Sequence, residues 1–323
     1  MPEVLAWADD FLMPYFCADT TGSAPDHQVT AVYRSGTPLT AYEQTRPQPL
    51  FLGRTGLRFD SGGREYVQDT RSGDLFEIRP SETLAHYRSQ DPYAIRDPAR
   101  LVRECAVDAL CRKGALRLHA AAAVVRERGL LLLGAGGAGK SSTLAHLLAE
   151  GAAFLANDRL LAVQEAGAIR LYGVPLAVRW SADQLDGFAD GRDFRQSYAT
   201  CSALRRTDTR AGFRKYELTP REVAAVTGAA LVTEAPASAV VVVDRGPGTG
   251  TPHVTPVTPD LDLLRAHTLD QDPAFPAFFR TALGATPADA TPFAALPWFR
   301  LRGHHRDTSG EAQLLDTLCD HLQ

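Results

Sequence analysis

The chain has 323 residues, 45% of them hydrophobic and 22% charged, with a formal net charge of −4. That composition can bury a core in one large domain or two ordinary ones, and the mild acidity argues against a general nucleic-acid or anionic-membrane surface. No apolar run approaches the roughly 20 residues of a membrane helix, the N-terminus lacks a basic leader-like region, and the five scattered cysteines form no C-x-x-C pair, so neither zinc nor a disulfide framework is expected and a reducing cytoplasm is the default.

Residues 1–96 read as β-rich and irregular. In GLRFDSGGREYVQD, Leu57 and Phe59 alternate, Ser61-Gly62-Gly63 turns, and Tyr66 and Val67 return, which is a hairpin; RSGDLFEIRP continues as a short strand. No motif marks this region, and packing, oligomerisation and substrate recognition all remain open for it. Asp97-Pro98 reads as an N-cap followed by a first-turn proline. Leu101, Val102, Cys105, Ala106, Ala109 and Leu110 then keep helical spacing up to Gly114.

LRLHAAAAVV (116–125) reads as a buried strand that Glu127-Arg128-Gly129 turns into Leu130–Leu133. AAFLANDRLLAV (152–163) is a strand, a polar interruption and a second strand. IRLYGVPLAV (169–178) is a strand pair broken at Gly173 and Pro175. Residues 190–215 carry Arg192, Arg195, Arg205, Arg206, Arg210, Arg214 and Lys215 with little periodicity, and are expected to be a mobile basic loop. Thr219-Pro220-Arg221-Glu222 is a capping box. AVVVVD (239–244) has the composition of a central strand, GPGTGTP that of a surface loop, and Thr258-Pro259 that of a helix cap. Trp298–Leu301 suggests a last strand, and a final helix from Ser309 sets Leu314, Leu315, Leu318 and Leu322 on one side.

The chemistry is concentrated in LLLLGAGGAGKSSTLAHLLAEG. Gly134 through Ser141 fits G-x-x-x-x-G-K-[ST], the P-loop. Its glycines, Gly134, Gly136, Gly137 and Gly139, let the backbone curl so that successive N–H groups point inward. Ala138, Ser141 and Ser142 complete the phosphate-contacting set. The helix opening at Lys140 adds its positive end. Lys140 supplies a cation to the β and γ phosphates, and Ser141 a hydroxyl for Mg²⁺. An N-K-x-D guanine motif and an L-S-G-G-Q transporter signature are both absent from the sequence, which weakens the GTPase and transporter readings.

From Leu118-His119-Ala120 through Asp158-Arg159 the sequence resembles the HPr kinase/phosphorylase superfamily, in particular its HPr-kinase-like relatives. The order is the same: a histidine on a strand, a glycine turn, an apolar strand, the P-loop, a helix, and a short strand ending in an acidic pair. The resemblance is good over about 115–180, weaker beyond, and does not reach the N-terminal hundred residues. It implies that Lys140 and Ser141 are the phosphate lysine and metal hydroxyl, that Asp158 is the acid near the metal, and that His119 assists the catalytic acid. Asn157 stands where the family has its first acid.

An amide cannot act as a general base; it can only orient a hydroxyl. Three outcomes are open. His119, or Asp158 if free of the metal, is the base; or the loose phosphoryl-transfer transition state needs little base help; or the site binds nucleotide without transfer. The bifunctional regulator's downstream Glu-x-Arg-Gly signature is absent, so true HPr is not the expected substrate. Arg159 either pairs with Asp158 or is solvated. Tyr172-Gly173-Val174-Pro175 reads as a shape-determining turn. Lys215, then Arg214, are the candidates to neutralise charge on a moving phosphoryl group. His304-His305 has no metal partners at useful spacing and reads as loop.

The expected fold is α/β: a β-rich α+β N-terminal domain over 1–96 and a P-loop kinase domain of HPr-kinase type over 97–323. The expected reaction is Mg²⁺-dependent transfer of a phosphoryl group from ATP to a hydroxyl of a peptide or small-molecule acceptor, catalysed by His119, Asn157, Asp158, Lys140 and Lys215. A homo-oligomer is compatible with this reading; nucleic-acid and membrane partners are not expected. The alternatives are a catalytically impaired nucleotide-binding scaffold and a conformational ATPase.

Overall fold

The computed structural model describes residues 8–13, 15–16, 28–33, 45–50, 54–79, 82–87, 96–201, 207–208, 215–246, 253–269, 289–304, 313, 315–317 and 320. It is a mixed α/β structure of sheets with few helices. The chain divides into two compact units: Met1–Leu12, Phe16–Arg112 and Asp270–Ala285 form one, and Met13–Tyr15, Lys113–Leu269 and Thr286–Gln323 the other. Among the described residues, no helix is long and apolar enough to cross a membrane.

In the first unit, β1 (Gln28–Tyr33), β2 (Arg46–Pro49), β3 (Thr55–Ser61), β4 (Arg64–Asp69), β5 (Leu75–Ile78) and β6 (Glu82–Tyr87) form a sheet in the order β1-β6-β5-β4-β3-β2. The expected hairpin is β3–β4, turned at Gly62 and Gly63 with φ of 58° and 73°. Both values lie in the left-handed region that glycine enters without steric penalty. Helix α1 (Asp97–Arg112) buries a different stripe from the one its apolar spacing predicts. Ala99, Leu101, Arg103, Glu104 and Val107 face inward, while Val102 and Leu110 are 37% and 38% exposed. Ion pairs account for the rotation. Asp97, fully buried, pairs with Arg54 and Arg100, and Arg54 also pairs with Asp69 on β4. A buried charge needs its partner close, so the helix presents its polar edge to the sheet.

The second unit is built on β7 (Leu116–Leu118), β8 (Ala121–Val125), β9 (Arg128–Leu133), β10 (Ala153–Ala156), β11 (Leu160–Glu165), β12 (Ala168–Gly173), β16 (Glu234–Gly246), β17 (His253–Val257) and β18 (Trp298–His304). Their path is β10-β8-β9-β16-β12-β11-β7, with β18 pairing both β16 and β17. Strand β16 is central, as its run of valines predicts: β9 and β18 flank it in parallel. A second sheet pairs β13 (Val178–Ser181), β15 (Lys215–Leu218) and β14 (Thr207–Asp208) in the order β13-β15-β14.

Alternation along the strands assigns two cores. Ala121, Ala123, Leu130, Leu132, Val241 and Val243 lie in one, with Leu144, Leu147 and Leu148 of helix α2 (Lys140–Ala149). Ala122, Val124, Leu131, Leu133, Val240 and Val242 lie in the other, with Phe293 and Trp298. Both faces are covered, so these strands read as unbroken apolar runs.

Several expectations are corrected. The run 116–125 is two strands, with His119-Ala120 in the gap between β7 and β8. The following turn is at Arg126-Glu127, both with positive φ, not at 127–129. The basic segment opens as helix α4 (Gly191–Cys201), which follows α3 (Ala182–Asp186). Phe194 and Tyr198, one turn apart, give α4 its apolar side, and Tyr198 stacks edge-on against Tyr216. The arginines hid that pair in the sequence. Residues 202–206 and 209–214, including Arg214, lie outside the described residues. The capping box at Thr219 opens α5 (Pro220–Thr227) as expected, with Glu222 N–H donating to Thr219 Oγ1 at 3.2 Å. Helix α6 (Leu261–Ala266) is capped by Asp260, not by Thr258. The expected loop after Gly246 and the C-terminal leucines other than Leu315 also fall outside the described residues.

Gly173, at the end of β12, shows why the turn there needs a glycine. Tyr15 packs against it and donates its hydroxyl proton to Leu155 O at 2.7 Å. A Cβ on residue 173 would lie 2.1 Å from Tyr15 Cε1 and 2.6 Å from Leu155 O. Gly173→Ala is therefore expected to lower stability by about 1–3 kcal/mol, read as a lower urea midpoint. An unchanged midpoint would refute the packing of Tyr15.

Candidate functional site

The pairing registers bring three breaks in the chain to one edge of the sheet. Ala121 stands opposite Leu132 and Ala122 opposite Ala156. The start of β8 and the ends of β9 and β10 therefore coincide. His119 precedes the first, Gly134 follows the second, and Asn157-Asp158 follows the third.

The glycine loop 134–139 is shaped by the neighbouring strand. Gly134 has φ of 153°, and a Cβ there would meet Val243 O of β16 at 2.5 Å. Ala138 N–H closes a turn on Ala135 O, and Arg245 N–H of β16 donates to Ala138 O. Gly139, with φ of 96°, is the N-cap of α2 and, having no side chain, gives that helix no side-chain cap. The first-turn N–H groups of an α-helix have no partner within it, so an uncapped start favours an anion. Ala135, Gly136 and Gly137 are exposed. Gly136 has no positive φ, and among the described residues nothing lies within 4 Å of where its Cβ would be.

Lys140 is only 8% exposed. Its ammonium donates to Gly134 O at 2.7 Å and to Ala135 O at 3.2 Å. Burial lowers its pKa, and the Asp158 charge acts in the opposite sense. Ser141 and Ser142 follow on the first turn of α2, half-buried. Ser142 Oγ accepts from Gln184 Nε2 at 3.3 Å, and Gln184 completes the capping box of α3 with Ser181.

His119 Nε2 lies 3.0 Å from Asp158 Oδ1, and both side chains are partly exposed. Burial raises the Asp158 pKa, but the hydrogen bond and charge of His119, then Arg159 and Lys140, outweigh it and hold the carboxyl below its ordinary value. Arg159 Nε is 4.0 Å from Asp158 Oδ2. The Asn157 Oδ1 is buried and, among the described residues, has no hydrogen-bond partner. Lys140, Asp158 and His119 thus gather around the loop.

Lys215 is exposed at the start of β15, in register with Ser181. Among the described residues no hydrogen bond or ion pair joins it to the loop. Its link is indirect, through Ser181 and Gln184 to Ser142.

Sequence reasoning missed His267, just after α6. Its Nε2 lies 2.8 Å from Gly134 O and its Nδ1 2.8 Å from Leu263 O. Its backbone carbonyl accepts from His119 N–H at 2.8 Å. Residues 267–269 run beside the end of β7, where Leu118 and Thr268 form an antiparallel bridge. No local pattern signals this; the contact joins segments far apart in the chain.

No family model matches this sequence, and no curated protein matches it. Among solved structures, the HPr(Ser) kinase/phosphatase from Coxiella burnetii is similar over 64% of this chain and 99% of its own, at 11% identity and a TM-score of 0.33.

The depressed Asp158 value has a consequence for pH. A carboxylate held below its ordinary pKa stabilises the fold above the usual carboxylate range, and that contribution is lost as pH falls through the folded value. His119→Ala is expected to move the Asp158 titration, followed by carboxyl ¹³C NMR, towards higher pH. An unmoved titration would contradict the His119–Asp158 contact.

Proposed function

We propose that the chain is an ATP- and Mg²⁺-dependent phosphotransferase acting on a hydroxyl group of a peptide or small-molecule acceptor. One observation supports this above all: an uncapped helix start, a buried lysine and a carboxylate–imidazole pair meet at one edge of the sheet. In this reading the loop 134–139 is a P-loop. The N–H groups of Gly136, Gly137 and Gly139 to Ser142 bind the polyphosphate, and the Lys140 ammonium offers a donor to the β and γ phosphates.

The donor set fits magnesium. The Ser141 hydroxyl and the Asp158 carboxylate are hard oxygen ligands, and the lowered Asp158 pKa keeps that carboxyl ionised. A magnesium ion held there supplies charge neutralisation on the phosphates. Gly136 fits the nucleotide. Its backbone does not demand glycine, so its missing side chain suits the close approach of a ligand.

His119 supplies the proton chemistry. Asp158 Oδ1 accepts from Nε2–H, which fixes the tautomer and leaves Nδ1 with a lone pair. Nδ1 takes the proton of the acceptor hydroxyl as its oxygen bonds to the γ-phosphorus; the bond to the β–γ bridging oxygen breaks, and ADP leaves with that electron pair. Asn157 can orient the hydroxyl but not deprotonate it. Lys215, and Arg214 before it, would offset charge on the transferred group. A nucleotide-binding scaffold is the second reading, and the amide at Asn157 is what favours it.

ADP release is expected to require a hydroxyl-bearing acceptor, and Lys140→Ala to slow it by about 10²–10³-fold. Tight Mg-ATP binding with no turnover across genuine acceptors would favour the scaffold, and acceptor-independent hydrolysis would favour a conformational ATPase. Gly136→Ala is expected to leave the melting temperature nearly unchanged while weakening Mg-ATP binding in calorimetry. Wild-type affinity in that variant would remove the nucleotide from the loop.

A further inference from the structure

A cavity of about 720 Å³, the size of a ligand site, is lined by Val257 and Thr258 after β17, by Asp260, Asp262 and Arg265 at α6, and by Arg300 of β18. Arg300 occupies a position that calls for an apolar side chain. Along β18, Trp298 lies in one core and Phe299 and Leu301 in the other, so Arg300 falls on the Trp298 face, beside Val242. Leu261, Leu263 and Leu264 of α6 pack onto that face. The guanidinium is half-buried and its Nε is closed off from solvent. Among the described residues it has no hydrogen-bond or ion-pair partner. The acids sharing the cavity are engaged elsewhere: Asp262 Oδ1 accepts from Arg265 at 2.8 Å, and Asp260 Oδ1 from Leu263 N–H at 2.9 Å. A partly desolvated cation with no acceptor is costly, and an anion in the cavity would remove that cost.

The same residues limit which anion fits. The planar fork of a guanidinium matches a carboxylate with two parallel hydrogen bonds. It matches a phosphate as well, but Asp260 and Asp262 would repel a second negative charge. Their oxygens can instead accept from N–H donors, which a peptide carries and a phosphate lacks. The cavity is also tied to the phosphate loop. Strands β9 and β18 flank β16, and Leu133 and Arg300 both stand opposite Val242. At about 4.8 Å per strand they are roughly 10 Å apart, a span that an extended peptide covers in about three residues. Gly134 follows Leu133 directly, and α6 leads from the cavity to His267, beside Gly134 O. Resting on the phosphotransferase reading, we infer that the acceptor is a peptide and that this cavity binds a carboxylate on it, a few residues from the phosphorylated hydroxyl. Arg300 is the residue that selects for that carboxylate, whether it belongs to an acidic side chain or to the peptide's C-terminus.

The test uses synthetic peptides with one central serine, neutral neighbours and an amidated C-terminus. A single Glu is moved through the positions on either side of the serine, with Gln in its place as the control. A second set carries no Glu and ends in a free carboxylate. Binding without nucleotide is followed by fluorescence anisotropy, and phosphate addition with Mg-ATP by mass spectrometry. At the best position the carboxylate peptide is expected to bind and react about tenfold better than its neutral control. The set that shows the preference identifies the source of the carboxylate. Arg300→Gln should erase the preference, and Arg300→Lys, which keeps the charge without the fork, should keep part of it. Arg300→Gln should bind Mg-ATP as wild type does and melt no lower, because an unpaired half-buried charge has been removed.

Equal binding of carboxylate and neutral peptides by wild type would overturn the inference, as would a preference that survives in Arg300→Gln. Loss of Mg-ATP affinity in Arg300→Gln would assign the cation to the nucleotide, and a marked fall in melting temperature would assign it to the fold; either result overturns the inference. Arg300-dependent peptide binding with no phosphate transfer would uphold the cavity and sink the phosphotransferase reading alone. Transfer to peptides with no carboxylate preference would do the reverse.

Discussion

The constraint on which the rest depends is that β8, β9 and β16, at the centre of the second unit's main sheet, are dry on both sides. Leu130 and Leu132 point into one core and Leu131 and Leu133 into the other, all fully buried. A polar side chain in the middle of these strands would lose its water without a partner. Polar chemistry is thereby confined to the strand ends. The alanine-rich β8 pairs with β9 on one side and with β10 on the other, so that three strand ends fall at one level. The loop, the imidazole and the carboxylate are neighbours because the sheet leaves them one place to emerge, as in open α/β sheets generally.

Strand β16 then shapes what emerges. Over its 13 residues it pairs first with β12 and then with β9 and β18. Past the last core residue it continues beside the glycine loop. Val243 O leaves no room for a side chain on residue 134, and Arg245 N–H holds Ala138 O. The loop's curvature thus belongs jointly to its own glycines and to a strand a hundred residues later.

The sequence made the local parts of this legible. Apolar runs located β8, β9 and β16, Thr219 and Glu222 located the start of α5, and the order of glycines, lysine and serine located the loop. Each is set by residues close together in the chain. What could not be read was set by distant partners. The inward edge of α1 depends on Arg54 meeting Asp97. The gap at His119 depends on the pairing of residues 117–119 with 267–269. His267 itself carries no motif, because its ring meets a carbonyl oxygen 133 positions away. The helix at 191–201 was hidden for a different reason: charge density outweighed an aromatic pair one turn apart.

Tyr15 bears on where the folded second unit begins. Its phenol is enclosed, which pushes its pKa far up, and it seals the carbonyl of Leu155 two residues ahead of Asn157. A fragment cut to start at Lys113, following sheet connectivity alone, would discard that plug and open a ring-sized void between β10 and Gly173. The carbonyl would then face water or an intruding side chain, and the turn bearing Asn157 and Asp158 would lose one wall. Tyr15 is thus a wedge in a unit whose next stretch of sequence starts at Lys113, about a hundred residues downstream.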